Sequence, residues 1–368
     1  MTRFKWFALL GVAFALSSSS SGAPAPTPDR MAWDVFLQMT APASTPRAKA
    51  VAFETWAADD DIYTATPHWP AHAGLRTLRR SLAAQAEDIA VHAAPAADCL
   101  PKDGKAGNFP PGACIGEEVQ HNRPVYDYIV RNGLYTTAGL QKAYADGMGI
   151  DFPGDAIVVK ADWVLVGDIL RWLPQAYKTA DDVRRAYYTN IATMNGRSGE
   201  YALAGMSVQS KQQPYWVWST FEHRSNPGRC DIIGCHDDFG AIAADVPSRA
   251  MPNTDYGPCA KTPALAALLA AHRIDAIWSN YCLKGTQVTF VTPGGRPTIL
   301  ANSVIERMNK GVAVPDTSCI TCHAYAAFDR HGTPNYAALP GRPTGGIIPS
   351  KLHGYRQHDY LWGIVAAH

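Results

Sequence analysis

Residues 201–223 read YALAGMSVQSKQQPYWVWSTFEH. Aromatic and β-branched residues fill two runs of this stretch, 201–209 and 215–223, and a polar turn around Lys211 and Pro214 separates them. Two such runs joined by a short polar turn are typical of an antiparallel β-hairpin. The hairpin predicts an antiparallel sheet at the core of the fold.

The second run indicates where its strand lies in that sheet. Successive side chains of a strand point to opposite faces. One predicted face carries Tyr215, Val217, Ser219, Phe221 and His223, and the other carries Trp216, Trp218, Thr220 and Glu222. Both faces are partly apolar, so we expect a central strand with a neighbour on each side.

Helix and strand patterns are mixed along the rest of the chain. Apolar spacing predicts helices at 33–39, 75–91, 125–130, 140–148, 263–273 and 301–310. Further strands are predicted at 156–166 and 281–292, whereas residues 180–194 fit either a helix or a strand. The sequence therefore predicts a loop-rich α+β fold with an antiparallel sheet core and surrounding helices.

The segment Cys319-Ile320-Thr321-Cys322-His323 has the C-x-x-C-H pattern of covalent c-type haem attachment. Two thiols on one turn reach the two vinyl groups of one porphyrin, and the next imidazole ligates the iron. A zinc site would need a second Cys or His pair, and a thioredoxin-type motif would need a strand-to-helix unit. Neither pattern is visible, although a plain structural disulfide remains an alternative. We expect one haem c on Cys319 and Cys322, with His323 as an axial ligand.

The N-terminus has the order of charged, apolar and small residues that a signal peptide shows. Arg3 and Lys5 precede an apolar run at 6–16, and small residues follow at 17–23. The apolar run is shorter than the ~20 residues that a transmembrane helix needs. We expect a periplasmic or secreted protein whose mature chain has no integral membrane segment.

These motifs predict three parts of the chain. Residues 1–23 are the signal peptide, 24–300 form the α+β body, and 301–368 form a cytochrome c-like, C-terminal haem-attachment segment packed on that body. The boundaries follow from the export signal and from the position of the haem motif.

Charge and motif content exclude several classes of partner. The formal net charge is +1 at pH 7, and basic residues are scattered among acidic ones. The sequence therefore shows no cluster of basic residues of the kind that binds nucleic acid. No glycine-rich phosphate loop or G-x-S-x-G nucleophile elbow occurs in the chain. We expect the partner to be a redox protein or a small-molecule electron donor or acceptor.

The other cysteines are even in number, as expected for disulfides in an oxidising compartment. Pairing of sequence neighbours predicts the bridges Cys99–Cys114, Cys230–Cys235 and Cys259–Cys282. Spacing alone leaves the other connectivities open.

Cys230, Cys235 and His236 also form a C-x4-C-H pattern, a stretched haem-attachment motif. Asn226-Pro227-Gly228 precedes the pattern and Gly234 lies inside it, which is typical of a loop. We therefore favour a disulfide here over a second haem.

Four segments together carry a resemblance. They are WVWSTFEH at 216–223, ANSVIE at 301–306, SCITCH at 318–323 and QHDYLW at 357–362. In their order and content the chain resembles a family of exported, largely uncharacterised bacterial cytochrome c-like proteins. The resemblance implies a haem segment built into a larger α+β body, and it implies no substrate.

The sequence does not determine which residue would be the second axial ligand of the iron. No methionine follows His323, so a six-coordinate iron would take a histidine or a residue of the body. His223 is one candidate, because it ends a strand with two tryptophans and Glu222 beside it is available to orient the imidazole. His353 is a second candidate. The alternative for His223 is a hydrogen-bonded core histidine.

The ligand set decides between functions. Two strong protein ligands favour electron transfer, whereas an open distal position admits peroxide or another small molecule. We expect a single-haem electron-transfer cytochrome. The alternatives are a peroxidase- or oxidase-like haem enzyme, with His223 and Glu222 as acid–base groups, and a haem-based sensor.

Overall fold

The computed structural model of the protein describes residues 25–43, 50–71, 76–78, 113, 115–194, 197–248, 254–308 and 314–367. The predicted signal peptide and the predicted Cys99–Cys114 bridge lie outside these residues. Within them, the predicted α+β class with an antiparallel sheet core is confirmed.

One mixed sheet of eight strands organises the described part of the chain. Its strands are β1 (Ala57–Ala58), β2 (Arg76–Leu78), β3 (Ile115–His121), β4 (Ile157–Leu165), β5 (Thr189–Met194), β6 (Arg197–Ser210), β7 (Val217–His223) and β8 (Tyr281–Gln287). Their order is β1-β3-β4-β6-β5-β2, and β7 pairs with both β6 and β8. All pairs are antiparallel except β2 with β5.

The predicted hairpin is confirmed as β6 and β7, paired from Gly205↔Glu222 to Ser210↔Val217. Every residue of β7 is buried, and the strand has neighbours on both sides, as predicted for a central strand. Trp216 differs from the prediction, because its φ of 63° places it in the turn before β7 rather than on a strand face.

The first apolar layer covers one face of the sheet. Helix α1 (Pro28–Thr40) begins at the Thr27 side chain, which accepts a hydrogen bond from Arg30 N. Its Trp33 and Phe36 rings lie 5.1 Å and 4.6 Å from the ring of Phe221 on β7. Each fully buried side chain of this size contributes about 1.5–3 kcal/mol to folding. The helix predicted at 33–39 is thus confirmed.

The remaining α-helices of the described chain are α2 (Asp59–Ile62), α3 (Arg123–Arg131), α4 (Thr137–Ala145), α5 (Val166–Trp172), α6 (Ala180–Ala186), α7 (Pro263–Ala271), α8 (Ile305–Met308) and α9 (Cys319–Ala324). Short 3-10 helices lie at Ala52–Thr55, Ala276–Asn280, Val314–Asp316, Tyr336–Ala338, Pro349–Leu352 and Trp362–Ala366. The helices predicted at 125–130, 140–148 and 263–273 are confirmed as α3, α4 and α7. Asn122, Thr136 and Thr262 cap their N-termini.

The strand predicted at 281–292 is present as β8 but ends at Gln287. Three other predicted elements differ more strongly from the structure. The helix predicted at 75–91 is wrong at its start, because Arg76–Leu78 form β2, and its remainder lies outside the described residues. The ambiguous stretch 180–194 contains both elements, since Thr179 caps α6 and the β-branched residues after it form β5. The helix predicted at 301–310 is reduced to the single turn α8 within the described chain, because Asn302 and Ser303 hydrogen bond to the sheet instead.

The C-terminal segment covers the second face of the sheet. Helix α9, the antiparallel strand pair of β9 (Ala327–Phe328) and β10 (Arg356–Gln357), and the 3-10 helix Trp362–Ala366 lie in this segment. Ile320, Ala324 and Phe328 join Trp218 of β7 in one buried cluster. This packing brings the C-x-x-C-H segment against the centre of the sheet.

Two predicted disulfides are confirmed. Cys230 bonds to Cys235, and Cys259 bonds to Cys282. None of the helices in the described ranges combines the length and the apolar character needed to cross a bilayer.

Candidate haem-attachment site

The last residue of β8 anchors the start of α9. The Gln287 amide donates to Ser318 Oγ at 2.7 Å, and Ile320 N donates to Gln287 Oε1 at 2.9 Å. Ser318 in turn caps the helix, because its Oγ accepts from Thr321 N. The sheet therefore fixes the position of the turn that carries the haem motif.

The three motif residues lie on one side of α9. Cys319, Cys322 and His323 have the i, i+3, i+4 spacing that places side chains on one helix face. They are half-buried, whereas Ile320, Thr321 and Ala324 on the opposite side are buried. Cys319 and Cys322 have free thiols rather than a disulfide in the described structure. One half-buried face thus presents two thiols and one imidazole, which is the donor set that haem c requires.

A backbone hydrogen bond sets the orientation of His323. Its Nδ1 lies 2.8 Å from the carbonyl oxygen of Tyr360. A carbonyl can only accept, so Nδ1 carries the proton and Nε2 has a lone pair available for a metal. Removal from water lowers the pKa of His323 to about 4, so the imidazole is neutral at pH 7. The Trp218 ring lies 4.5 Å from the His323 ring and fixes its plane.

The Tyr360 carbonyl is held by a strained turn. Asp359 and Tyr360 have φ values of 51° and 70°, a conformation that costs residues other than glycine ~1–3 kcal/mol each. The Asp359 carboxylate compensates by accepting from Lys211 Nζ at 2.7 Å, Phe152 N at 2.8 Å and Trp216 Nε1 at 3.2 Å. The polar turn of the β6–β7 hairpin thereby supports the orientation of the imidazole.

Both thiols of the motif are protonated at neutral pH. Removal from water, and secondly the nearby Glu306 carboxylate, raise the pKa of Cys322 to about 12 and that of Cys319 well above its usual range. Redox-active C-x-x-C motifs and zinc sites work through thiolates, which these surroundings disfavour. The surroundings thus favour two neutral thiols at this site.

A charged cluster lies on the same face of the sheet as Trp218. Lys160 and Asp162 project from β4, and Glu117 on β3 forms an ion pair with Lys160 at 2.7 Å. Glu306 on α8 completes the cluster and interacts electrostatically with Lys160, Cys319 and Cys322. Charged groups are therefore close to the thiols that would hold a porphyrin.

The structure does not bring His223 to the haem motif. Alternation along β7 places His223 with Phe221 on the face opposite Trp218. Its Nδ1 accepts from Ser225 N at 3.2 Å, and its Nε2 donates to the Ala186 carbonyl at 2.9 Å. The imidazole also stacks on Tyr187 at 3.5 Å between ring centroids. Both ring nitrogens are occupied, so the geometry favours a structural role.

Glu222 also has structural partners. Its carboxylate accepts from Ser303 N at 2.7 Å and from the Ser303 hydroxyl, and it lies 3.4 Å from Lys284 Nζ. All three contacts are buried, and they tie the start of the C-terminal segment to β7 and β8. The carboxylate does not contact the His223 imidazole, which takes the hydrogen bonds described above.

The other candidate ligands lie elsewhere. The His353 side chain is exposed, just after the 3-10 helix Pro349–Leu352. His236 is exposed too, and its neighbours Cys230 and Cys235 form a disulfide with each other. The bridge supports the prediction of a disulfide over a second haem.

Sequence reasoning missed Lys160, Asp162, Asp359 and Tyr360 as parts of this site. Lys160 and Asp162 could have been noticed in the sequence, because they are charged residues inside the apolar strand IVVKADWVL at 157–165. The last two belong to the QHDYLW segment, where their contacts depend on long-range packing.

The comparisons with other proteins give no identification. No family model, curated protein or solved structure matches this chain.

Proposed function

We propose that the protein is a c-type cytochrome that binds one haem through Cys319 and Cys322, with His323 as an axial ligand, and acts in electron transfer. The observation that carries the proposal is the joint presentation of two free thiols and a correctly protonated imidazole on one face of α9. The family resemblance of the sequence agrees with it. Bound haem would supply one-electron redox chemistry, which no amino-acid side chain of the site supplies by itself.

The chain's own residues would tune that chemistry. Hydrogen bonding of Nδ1 to the Tyr360 carbonyl raises the basicity of the His323 ligand. The Trp218 ring packs against the imidazole and limits access of water to it. The two disulfides support the further proposal of a periplasmic or secreted location, because such bonds persist in oxidising compartments.

The partner would be a redox protein or a small-molecule electron donor or acceptor. The half-buried face of α9 supports this proposal, because electron transfer needs a route from the surface to the cofactor. The division into a body at 24–300 and a haem segment at 301–368 remains a prediction.

A haem enzyme with an open distal side is the second candidate. It is favoured by the charged cluster of Lys160, Asp162 and Glu306 near the motif, which offers acid–base groups in place of His223 and Glu222.

Absorption spectra of the ferrous protein test the two candidates. Electron transfer predicts a sharp low-spin spectrum that carbon monoxide leaves unchanged. A high-spin spectrum that shifts with carbon monoxide would contradict electron transfer and support the enzyme or the sensor.

A further inference from the structure

We infer that Asp162 and Glu306 form a proton acceptor coupled to the haem, so that one-electron reduction of the protein is accompanied by uptake of one proton at this carboxyl pair. The inference rests on the proposed function and extends it from simple to proton-coupled electron transfer. It would make the midpoint potential depend on pH.

The first carboxyl group lies deep in the sheet. Asp162 is 3% exposed, on the face that also carries Lys160. Glu117 is directly opposite Asp162 in the β3–β4 register, but its carboxylate pairs with Lys160 instead. One oxygen of Asp162, Oδ2, is buried and has no hydrogen-bond partner among the described residues. A buried carboxylate oxygen without a donor is a group that gains from protonation.

The second carboxyl group approaches from the C-terminal segment. Gly205 is the neighbour of Asp162 on β6, and a Cβ there would come within 3.0 Å of the Asn302 amide. The missing side chain lets Asn302 dock on the sheet, where its amide donates to Thr220 Oγ1 at 2.7 Å. Asn302 N donates to the Glu306 carboxylate, which ties the first turn of α8 to the docked Asn302.

The charges around the pair are unbalanced. From β3 and β4 the groups are Glu117, Asp162 and Lys160, and Glu306 faces them from α8. On β8, Lys284 is compensated by Glu222 on β7. The α9 side contributes the Cys319 and Cys322 thiols, which are neutral, and the neutral His323.

Glu117 already pairs with Lys160, so full ionisation would leave the Asp162 and Glu306 carboxylates without an ion pair among the described residues. Removal from water raises the pKa of Glu306 to about 7. Removal from water, and secondly the Glu117 charge, raise the pKa of Asp162 well above its usual range. Burial and the neighbouring negative charge therefore favour a protonated carboxyl group at this pair.

Electrostatics couples this proton to the haem position. Glu306 interacts with both thiols of the motif, and Lys160 interacts with His323. With haem bound, an added electron would make the iron site less positive, so the nearby carboxylates would bind a proton more tightly. The electron comes from the one-electron donor, the proton comes from water, and it forms an O–H bond on a carboxylate oxygen. Oxidation releases both, and the coupling is reciprocal.

The test is potentiometry of the haem-loaded protein between pH 5 and pH 9. The midpoint potential should fall as pH rises, by up to about 59 mV for each tenfold fall in proton concentration if one proton accompanies one electron. Asp162→Asn and Glu306→Gln should each reduce this slope, and the double variant should abolish it. Glu54→Gln, which alters a buried carboxylate hydrogen bonded to Tyr188 and Asn190, should keep the wild-type slope.

Infrared difference spectra of the wild-type protein give a readout that does not depend on variant stability. Reduction should produce a band of a protonated carboxyl group. A haem-loaded protein with a pH-independent potential and no such band would overturn this inference while leaving the proposed function intact. A protein that takes up no haem would overturn both.

Discussion

His323 Nδ1 and the carbonyl oxygen of Tyr360 lie 2.8 Å apart, across 37 residues of chain. This one contact assigns the tautomer of the imidazole and leaves Nε2 available to a metal. The carbonyl is held in place by the Asp359 carboxylate, which Lys211 and Trp216 anchor from the β6–β7 hairpin. The hairpin at the centre of the fold and the proposed axial ligand are therefore mechanically linked.

Asp359→Asn should weaken this link. Loss of the charged hydrogen bonds should lower the free energy of unfolding by about 1.5–3 kcal/mol, measured by urea denaturation. In the haem-loaded protein the midpoint potential should rise, because a less firmly held Nδ1–H makes His323 a less basic ligand.

Asp151→Asn is the matched control for Asp359→Asn. Asp151 also pairs with Lys211, at 2.8 Å, but its side chain is 82% exposed. Exposed pairs contribute about 0–1 kcal/mol, so both stability and potential should stay near wild type. Equal effects of the two variants would contradict a positioning role for Asp359.

Glu222→Gln should destabilise the fold and leave the haem spectrum unchanged. The substitution leaves Lys284 buried without its counter-charge, and breaking a buried pair in this way costs about 3–5 kcal/mol. Urea denaturation measures the loss, and the added change Lys284→Met should recover part of it. Normal stability together with loss of peroxidase turnover would instead indicate a catalytic Glu222.

His223 should make the protein sensitive to acid. Burial lowers the pKa of His223 to about 3, below its usual value near 6.5. Such a group contributes stability that is fully present above pH 6.5 and is lost as pH falls towards 3. In that window His223→Gln should reduce the slope of unfolding free energy against pH by up to about 1.4 kcal/mol per pH unit.

The control for this titration is His353→Gln, which changes an exposed histidine. In His353→Gln, the slope of unfolding free energy against pH should match that of the wild type. An unchanged slope in His223→Gln would show that the buried imidazole does not govern acid unfolding. Buried His358, with its pKa also lowered to about 3, should keep part of the acid sensitivity in every variant.

The sequence predicted the centre of this fold because its signals were local. The alternation of Tyr215 to His223 predicted β7 and its central place, and the neighbouring cysteines predicted two bridges that are present. The α8 region was harder, because the hydrogen bonds of Asn302 and Ser303 to β7 override helical spacing.

In the candidate site, too, local patterns could be predicted from the sequence and long-range contacts could not. The C-x-x-C-H pattern is local and could be read directly, and the structure places its three side chains on one face of α9. His223 was attractive because it ends a strand rich in tryptophan, yet its partners Ala186 and Ser225 occupy both ring nitrogens. Lys160 and Glu306 are 146 positions apart, and only the tertiary fold brings their charges close enough to interact.

Covalent haem attachment is the claim on which the rest depends, and mass spectrometry tests it most directly. The protein is made in a host with cytochrome c maturation enzymes, beside a Cys319→Ser/Cys322→Ser variant that keeps the Cys230–Cys235 bridge. The account predicts a wild-type mass above that of the polypeptide by one haem, a Soret band that survives denaturation, and neither in the variant. A wild-type mass equal to the bare polypeptide, or a haem retained covalently by the variant, would contradict it.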